Sequence, residues 1–345
     1  MSAFTMAILL SSLATGTIIT ATSFHWLMAW IGLELNTLAI IPLISKQHHP
    51  RATEAATKYF LTHAAASALI LFSSTINAWQ LGTWDIMQMT NSTSNILLTM
   101  ALAMKLGLAP THFWLPEVLQ GTSMKTALII STWQKLAPMA LIIITSNNLS
   151  TTTLMILGML SAIVGGWGGL NQTQTRKIMA YSSIAHLGWM SMITPLLTKL
   201  LVLNLIIYLL MTTAMFLALI MSKSKTLQDT SMLSTLSPTL MTLTMLTLLS
   251  LGGLPPLTGF IPKWLILQEL TTQNLLMMAT MLALSALLSL FFYLRLTYVM
   301  ALTTPPNTVT FKHKWRFKYL NTTTPLAVTL SLSIMLLPIM PLIMT

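Results

Sequence analysis

Apolar residues along the chain form long runs separated by short polar segments, without alternation of apolar and polar positions. Each run has about 20 residues, which is enough for a helix to cross roughly 30 Å of hydrocarbon. The runs predict eleven membrane-spanning helices, near residues 3–22, 24–44, 57–79, 95–115, 123–145, 149–170, 175–195, 197–221, 236–270, 275–300 and 324–344. Strands of a membrane barrel would be shorter and would alternate. We therefore expect an all-α polytopic membrane protein.

Two of the predicted spans, the fourth and the ninth, are interrupted by similar sequences. These are LGLAPTHFWLPEVL at 106–119 and LGGLPPLTGFIPKWLIL at 251–267. With Pro110 aligned to Pro256, the matched pairs are Leu108 with Leu254, Trp114 with Phe260, and Pro116 with Pro262. Proline removes an amide donor, and the carbonyls it frees must face protein or a hydrated cavity, since lipid cannot satisfy them.

The two interruptions also suggest an internal duplication. Each lies in the fourth span of its half when the chain is divided into spans 1–5 and 6–10. Five is an odd number, so the second half would enter the membrane from the opposite side. We predict two inverted repeats, 1–145 with its break near 105–116 and 146–300 with its break near 252–263, followed by a basic loop and C-terminal helix at 301–345. Broken helices at equivalent places in inverted repeats indicate a transport site near the membrane midplane.

The composition excludes several classes of function. Of the 345 residues 54% are hydrophobic and 7% are charged, where a soluble domain carries about 25% charged residues. The absence of cysteine rules out disulfides, thiolate-bound zinc and cysteine-held iron–sulfur clusters in this chain. The GGWGGLNQT stretch at 165–173 lacks the spacing of a nucleotide-binding loop. His48 and His49 have no evident third ligand, so no metal site is expected.

The formal charge of +11 would ordinarily suggest nucleic acid as a partner, but the basic residues lie mainly in loops between apolar runs. Even-numbered loops and their margins hold Lys46, Arg51, Lys58, Lys125, Arg176, Lys177, Lys223, Lys225, Lys312, Lys314, Arg316 and Lys318, whereas odd-numbered loops hold Lys199. The positive-inside rule then places the N-terminus inside and the C-terminus outside. We expect no nucleic-acid partner, and we interpret the tenth loop as an ordinary basic loop rather than an amphipathic surface segment. The first span lacks the basic residues of a leader and is expected to be retained.

Four ionisable residues lie within predicted spans, away from the span ends where a long side chain can reach the membrane surface. Glu34 and Lys105 are each about ten residues into a span, Lys135 lies three residues before Pro138, and Lys263 follows the second interruption. A charge at a helix centre costs on the order of 2.5–3.5 kcal/mol on insertion scales, so such groups usually face the protein interior, pair or line a polar path. We favour a proton path over buried pairs that only fix helix packing.

Histidine can pass a proton in either direction near neutral pH, and two histidines fall at the same depth as these charges. His112 lies in the first interruption and His186 lies in the middle of the seventh span. Both are candidate relay residues, although a buried histidine can instead bond a carbonyl group. His63, toward one end of the third span, is a weaker candidate.

The motifs LAPTHFWLPEV with Lys105, SLGGLPPLTGFIPKW with Lys263, TWQKLAP with Lys135 and AWIGLELNTLAIIPLI with Glu34 resemble the antiporter-like membrane subunits of respiratory complex I, in their animal form. The resemblance implies a proton-translocating membrane-arm subunit with Glu34 as coupling glutamate and Lys105, Lys135 and Lys263 as successive lysines. His112 and His186 would lie on the hydrophilic axis between them.

The same resemblance implies a chain without cofactors, with NADH, FMN, iron–sulfur clusters and ubiquinone held by partner subunits. Other complex I subunits and lipids such as cardiolipin would be its partners, in the mitochondrial inner membrane, with the N-terminus on the matrix side and the C-terminus on the intermembrane side. Two alternatives remain open: a free-standing cation/proton antiporter, and a purely structural membrane subunit.

Overall fold

The structure is a computed structural model that describes residues 2–47, 49–303 and 323–339. Within these ranges the regular secondary structure is helical, and there are no strands. The helices are α1 (Ala3–Thr22), α2 (Trp26–Ile44), α3 (Pro50–Leu81), α4 (Ser92–Leu106), α5 (Trp114–Gly121), α6 (Met124–Ser131), α7 (Leu136–Thr145), α8 (Thr151–Gly169), α9 (Thr175–Ile193), α10 (Thr198–Ser222), α11 (Leu227–Ser231), α12 (Leu233–Leu236), α13 (Pro238–Gly252), α14 (Phe260–Thr272), α15 (Leu276–Leu302) and α16 (Thr324–Met335).

The helices follow the predicted spans. Spans 4, 5 and 9 each contain two helices and each remaining span contains one, while the short helices α11 and α12 lie in the loop before span 9. Seven helical runs in the described part of the chain are long and apolar enough to cross a membrane. The prediction of an all-α polytopic membrane protein is therefore confirmed. The tenth loop, at 304–322, and the end of span 11 lie outside the described residues.

The chain divides into two compact units, one of Met1–Val164 with Ser183–Leu201 and the other of Gly165–Ser182 with Val202–Thr345. This division follows from packing and does not measure repeat symmetry. The inverted repeats 1–145 and 146–300 therefore stay a prediction.

In the first unit, α1 packs against α2 and α7, and α3 packs against α2, α4 and α5. Small residues allow close backbone contact at the helix crossings, as is common between membrane helices. A Cβ added to Gly16 of α1 would lie 2.9 Å from the Gly32 carbonyl oxygen of α2. A Cβ added to Gly188 of α9 would lie 2.7 Å from the Gly158 carbonyl oxygen of α8. These glycines set how closely the helices approach.

In the second unit, α13 packs against α15 and α16, and α14 packs against α15. Ala214 and Ala218 of α10 form a buried apolar cluster with Leu326 and Leu330 of α16. The Arg295 side chain of α15 donates hydrogen bonds to the carbonyls of Leu170 and Gln172, just beyond the end of α8. Arg295, which lies within the predicted tenth span, thus binds the carbonyls that follow the end of α8.

Within each unit, two loops that are predicted to lie on the same side of the membrane contact each other. In the first unit Ile86 donates its backbone N–H to the Phe24 carbonyl, at 3.0 Å, which joins the first and third loops. In the second unit the Thr175 N–H donates to the Lys225 carbonyl at 3.2 Å, which joins the sixth and eighth loops. Loops that meet must lie on the same side of a membrane, so these contacts agree with the span order.

Candidate functional site

The first interruption begins where α4 stops at a left-handed glycine. Gly107 has a φ of 81°, a conformation that costs other L-residues roughly 1–2 kcal/mol. The backbone N–H groups of Gly107 and Leu108 donate to the Ala103 carbonyl at 2.9 and 3.0 Å, which closes the helix end. The chain then crosses residues 108–113, including a cis Ala109–Pro110 peptide bond, before α5 starts.

The second interruption begins with the same kind of helix end. Gly253 has a φ of 82°, and the N–H groups of Gly253 and Leu254 donate to the Leu249 carbonyl at 3.1 and 3.3 Å. With Pro110 aligned to Pro256, Gly253 is the counterpart of Gly107. The aligned interruptions therefore share a helix-ending motif as well as their prolines.

A third interruption, which the sequence analysis did not predict, divides span 5. The helix α6 ends at Ser131, and a 3₁₀ turn of Trp133–Lys135 separates it from α7. Pro138 explains the change, because it has no N–H to donate to the Gln134 carbonyl and its ring clashes with the preceding turn. Lys135 thus lies at a break in its helix. The proline of the motif TWQKLAP is the sequence signal for this break.

Glu34 and Lys105 are the two predicted site residues that the described interactions bring together. Lys105 lies in the last turn of α4, is 4% exposed, and its Nζ has no hydrogen-bond partner among the described residues. The negative charge of Glu34 acts on it electrostatically. Glu34 is partly buried on α2; its Oε2 accepts a hydrogen bond from the Thr37 hydroxyl at 3.0 Å, and its Oε1 is buried without a described partner. The Lys105 amino group and the Glu34 Oε1 are therefore both buried without a described hydrogen bond.

An aromatic cluster that the sequence analysis did not assemble adjoins this pair. Tyr59 and His63 lie four residues apart on one face of α3, with ring centroids 4.0 Å apart. The Trp114 ring of α5 meets His63 edge-on at 4.7 Å. The Trp114 Nε1 donates to the Met104 carbonyl at 3.1 Å, which fixes the start of α5 against the end of α4.

Three further candidates are buried in the first unit. Lys135 is 4% exposed in the 3₁₀ turn, and His186 is 6% exposed on α9. His112, 5% exposed, lies between α4 and α5 beside Phe113, and its Nδ1 is buried without a partner among the described residues. These residues, which the sequence places within membrane spans, are thus buried by the protein itself.

Lys263 lies in the second unit, in the first turn of α14, and is partly buried. Its Nζ donates to the Gly252 carbonyl at 2.9 Å and approaches the Leu251 carbonyl at 3.5 Å. The ammonium group therefore neutralises the negative end of α13, where the last carbonyls have no helical partner. This lysine has a structural contact as well as a position suited to proton transfer.

None of the described residues forms a group of three or more His, Asp or Glu side chains suited to a metal ion. The amines, imidazoles and carboxylate of the candidate residues are groups that exchange protons. Such groups can load and release protons as neighbouring charges change.

Comparison with known proteins agrees with this architecture. Residues 23–289 match the family model described as "NADH:quinone oxidoreductase/Mrp antiporter, TM", and residues 290–344 match "NADH dehydrogenase subunit 2 C-terminus". NADH-ubiquinone oxidoreductase chain 2 of Varanus timorensis is 59% identical over 335 residues, covering 97% of each chain.

Solved structures show the same fold. A chain of respiratory complex I from Thermus thermophilus superposes with a TM-score of 0.85 at 26% identity, covering 99% of this chain and 80% of that one. A chain of the Mrp complex of a Dietzia species gives a TM-score of 0.81 at 16% identity, covering 97% of this chain and 75% of that one.

The broken helices and buried amines define an antiporter-like membrane protein. The family matches make the assignment narrower: the chain belongs to the NADH:quinone oxidoreductase/Mrp antiporter family, among the NADH-ubiquinone oxidoreductase chain 2 proteins. The resemblance found in the motifs is thereby confirmed.

Proposed function

We infer that the chain is a membrane-arm subunit of respiratory complex I and that it helps to couple NADH:ubiquinone oxidoreduction to proton transport. The full-length relatives and the complex I structure support this role. The chain is a core part of the oxidoreductase, and other complex I subunits are its partners. It is a multi-pass membrane protein.

We further propose that protons move through six residues, namely Glu34, Lys105, Lys135, Lys263, His112 and His186. The observation that carries the proposal is the Lys105 amino group, which is buried, has no described hydrogen-bond partner and interacts electrostatically with Glu34. Burial disfavours an ammonium ion and a nearby carboxylate favours it. A change in the Glu34–Lys105 interaction would therefore load or release a proton at Lys105.

A purely structural role is the second candidate, and it has a specific observation in its favour at Lys263. The hydrogen bond from Lys263 to Gly252 would help hold the second interruption whether or not a proton moves. Lys105 has no such described bond, so the structural explanation accounts for it less well. A free-standing antiporter, the other alternative, would function alone in liposomes.

Further features of this role belong to the same proposal. We place the chain in the mitochondrial inner membrane, with the N-terminus in the matrix and the C-terminus in the intermembrane space. NADH, FMN, iron–sulfur clusters and ubiquinone would bind partner subunits. Lipids including cardiolipin would contact its apolar faces, and nucleic acid would not be a partner.

The decisive experiment uses the assembled complex in liposomes and measures protons moved per NADH oxidised. Lys105→Met and Glu34→Gln should each lower this ratio, after normalisation to the amount of assembled complex on a native gel. Lys199→Met, at an exposed lysine in the first turn of α10, is the matched control and should leave the ratio unchanged. An unchanged ratio in both site variants would favour the structural role.

A further inference from the structure

His63 is the one buried aromatic base beside Lys105 to which the path above assigns no role. It is 5% exposed, and neither Nδ1 nor Nε2 has a hydrogen-bond partner among the described residues. A neutral imidazole has one N–H donor and one acceptor nitrogen, and buried polar groups of this kind are nearly always bonded. His63 is therefore unusual in keeping both nitrogens available.

The neighbouring rings hold the imidazole by its faces and edges and leave its nitrogens unused. The Tyr59 ring stacks on the imidazole, with the ring centroids 4.0 Å apart. The Tyr59 hydroxyl donates to the side-chain oxygen of Gln134, 3.4 Å away. Trp114 meets the imidazole at 4.7 Å, and the indole N–H is already donated to Met104. The two ring walls thus fix the orientation of His63 without consuming its donor or its acceptor.

Lys105 lies within electrostatic reach of His63. Trp114 links the two sites physically, because it touches the His63 ring and hydrogen-bonds the carbonyl of Met104, the residue before Lys105. Two cations in a buried site repel each other strongly, so a proton on one residue disfavours a proton on the other. That relation suits a site where a single proton passes between two bases.

We propose that His63 is a proton-carrying residue that exchanges a proton with Lys105, an inference that rests on the proposed function of Lys105. Neither ring nitrogen is within hydrogen-bond distance of the Lys105 Nζ, so the transfer passes through a water molecule between them. An N–H bond of the Lys105 ammonium breaks as its proton passes to the water, and the water gives another of its protons to an imidazole nitrogen, where a new N–H bond forms. The lysine becomes a neutral amine and the histidine an imidazolium, so charge is conserved. The second ring nitrogen then releases its proton, which lets the ring pass a proton onward without rotating.

Two variants in the assembled complex separate proton transfer from packing. His63→Phe keeps an aromatic ring between Tyr59 and Trp114 but has no nitrogen, and His63→Gln keeps polarity but does not titrate. We expect both to lower the protons moved per NADH oxidised while the amount of assembled complex is retained for His63→Phe. His25→Phe, at an exposed histidine, is the matched control and should behave as the unchanged chain.

The outcomes are distinct from those for Lys105. If Lys105→Met lowers the ratio and His63→Phe does not, the relay through His63 is overturned and the function of Lys105 stands. If Lys105→Met leaves the ratio unchanged, the proposed function itself fails. If neither His63 variant assembles, the residue is assigned to packing and the relay is likewise overturned.

Discussion

Lys263 donates a hydrogen bond to the carbonyl oxygen of Gly252, 2.9 Å away, so the lysine that follows the second interruption caps the helix that precedes it. Lys105 is placed differently, since it precedes the first interruption and its amino group has no described hydrogen-bond partner. Aligned breaks that begin with the same glycine helix end thus hold lysines in unequal environments.

Replacement of Gly253 by alanine should destabilise the second interruption. The left-handed φ of 82° costs an L-residue roughly 1–2 kcal/mol, and the new Cβ would lie 2.9 Å from Cδ and 3.0 Å from Nζ of Lys263. Thermal unfolding of the assembled complex should show the loss. The control is Gly82→Ala, which has a φ of 73° but no atom within 4 Å of the added Cβ. Equal losses in both variants would mean that the contact with Lys263 contributes nothing.

Replacement of Lys263 should separate its two roles. Lys263→Met removes the hydrogen bond to Gly252 and should destabilise the interruption by about 1.5–3 kcal/mol, the usual range for a bond to a charged group. Lys263→Arg retains a cation but holds its proton at any physiological pH. We expect the arginine variant to assemble and to move fewer protons per NADH oxidised. Full proton movement in the arginine variant would restrict Lys263 to the capping role.

The sequence sufficed to predict the spans and the two proline-containing breaks, because lipid imposes a strict length on apolar runs and proline interrupts a helix locally. A helix break at Gly107 is also predicted from the sequence, but Gly253 was not identified as the matching helix end, although the two glycines align. The interruption at Lys135 was also missed, since Pro138 was noted without its effect on the Gln134 carbonyl. In each case the signal was a single residue within a run that is otherwise apolar.

The surroundings of the candidate residues could be predicted less well. His63 and Tyr59 share a helix face, which the four-residue spacing indicates, but their contact with Trp114 depends on how α5 packs against α3 after the break. The carbonyl partners of Lys263 and Arg295 likewise depend on how helix ends meet in three dimensions. Periodicity reports burial within one element, whereas these contacts join separate elements.

Arg295 should stabilise the end of α8 through the geometry of its guanidinium group. Its Nη1 donates to the Leu170 carbonyl at 2.6 Å, and its Nη2 donates to the Gln172 carbonyl. Arg295→Met should cost about 1.5–3 kcal/mol for each bond lost. Arg295→Lys, which keeps the charge but not the planar fork, should recover part of that stability. Thermal unfolding of both variants measures the difference, and equal stability of the methionine and lysine variants would show that the charge alone contributes nothing.

Asp229 should give the loop after α10 an acid-sensitive stability. Its Oδ2 accepts backbone N–H groups from Thr226 at 2.9 Å and Lys225 at 3.0 Å, and these bonds, with Thr226 first, lower the pKa of the carboxyl from its ordinary 3.8. A group whose pKa is lower in the folded state stabilises the fold when the pH is above its unfolded-state pKa. That stability is lost as the pH falls through the folded-state pKa. We expect hydrogen exchange around Thr226, corrected for intrinsic rates, to quicken below about pH 4. Asp229→Asn should remove this pH dependence of hydrogen exchange. If the pH dependence persists in the variant, it belongs to another titrating group.

The crossing of α8 and α9 should not tolerate a methyl group at Gly188. An added Cβ would lie 2.6 Å from the Ala162 nitrogen and 2.7 Å from the Gly158 oxygen, both backbone atoms that cannot move aside as a flexible side chain would. Overpacking of this kind typically costs about 1–3 kcal/mol. Gly252→Ala is the matched control, because its added Cβ would meet nothing closer than 3.8 Å and the residue is also helical. We expect thermal unfolding of the assembled complex to show a loss for Gly188→Ala and little change for Gly252→Ala. The same result for both would mean that the two helices can separate at negligible cost, and that the close approach at Gly158 does not stabilise the first unit.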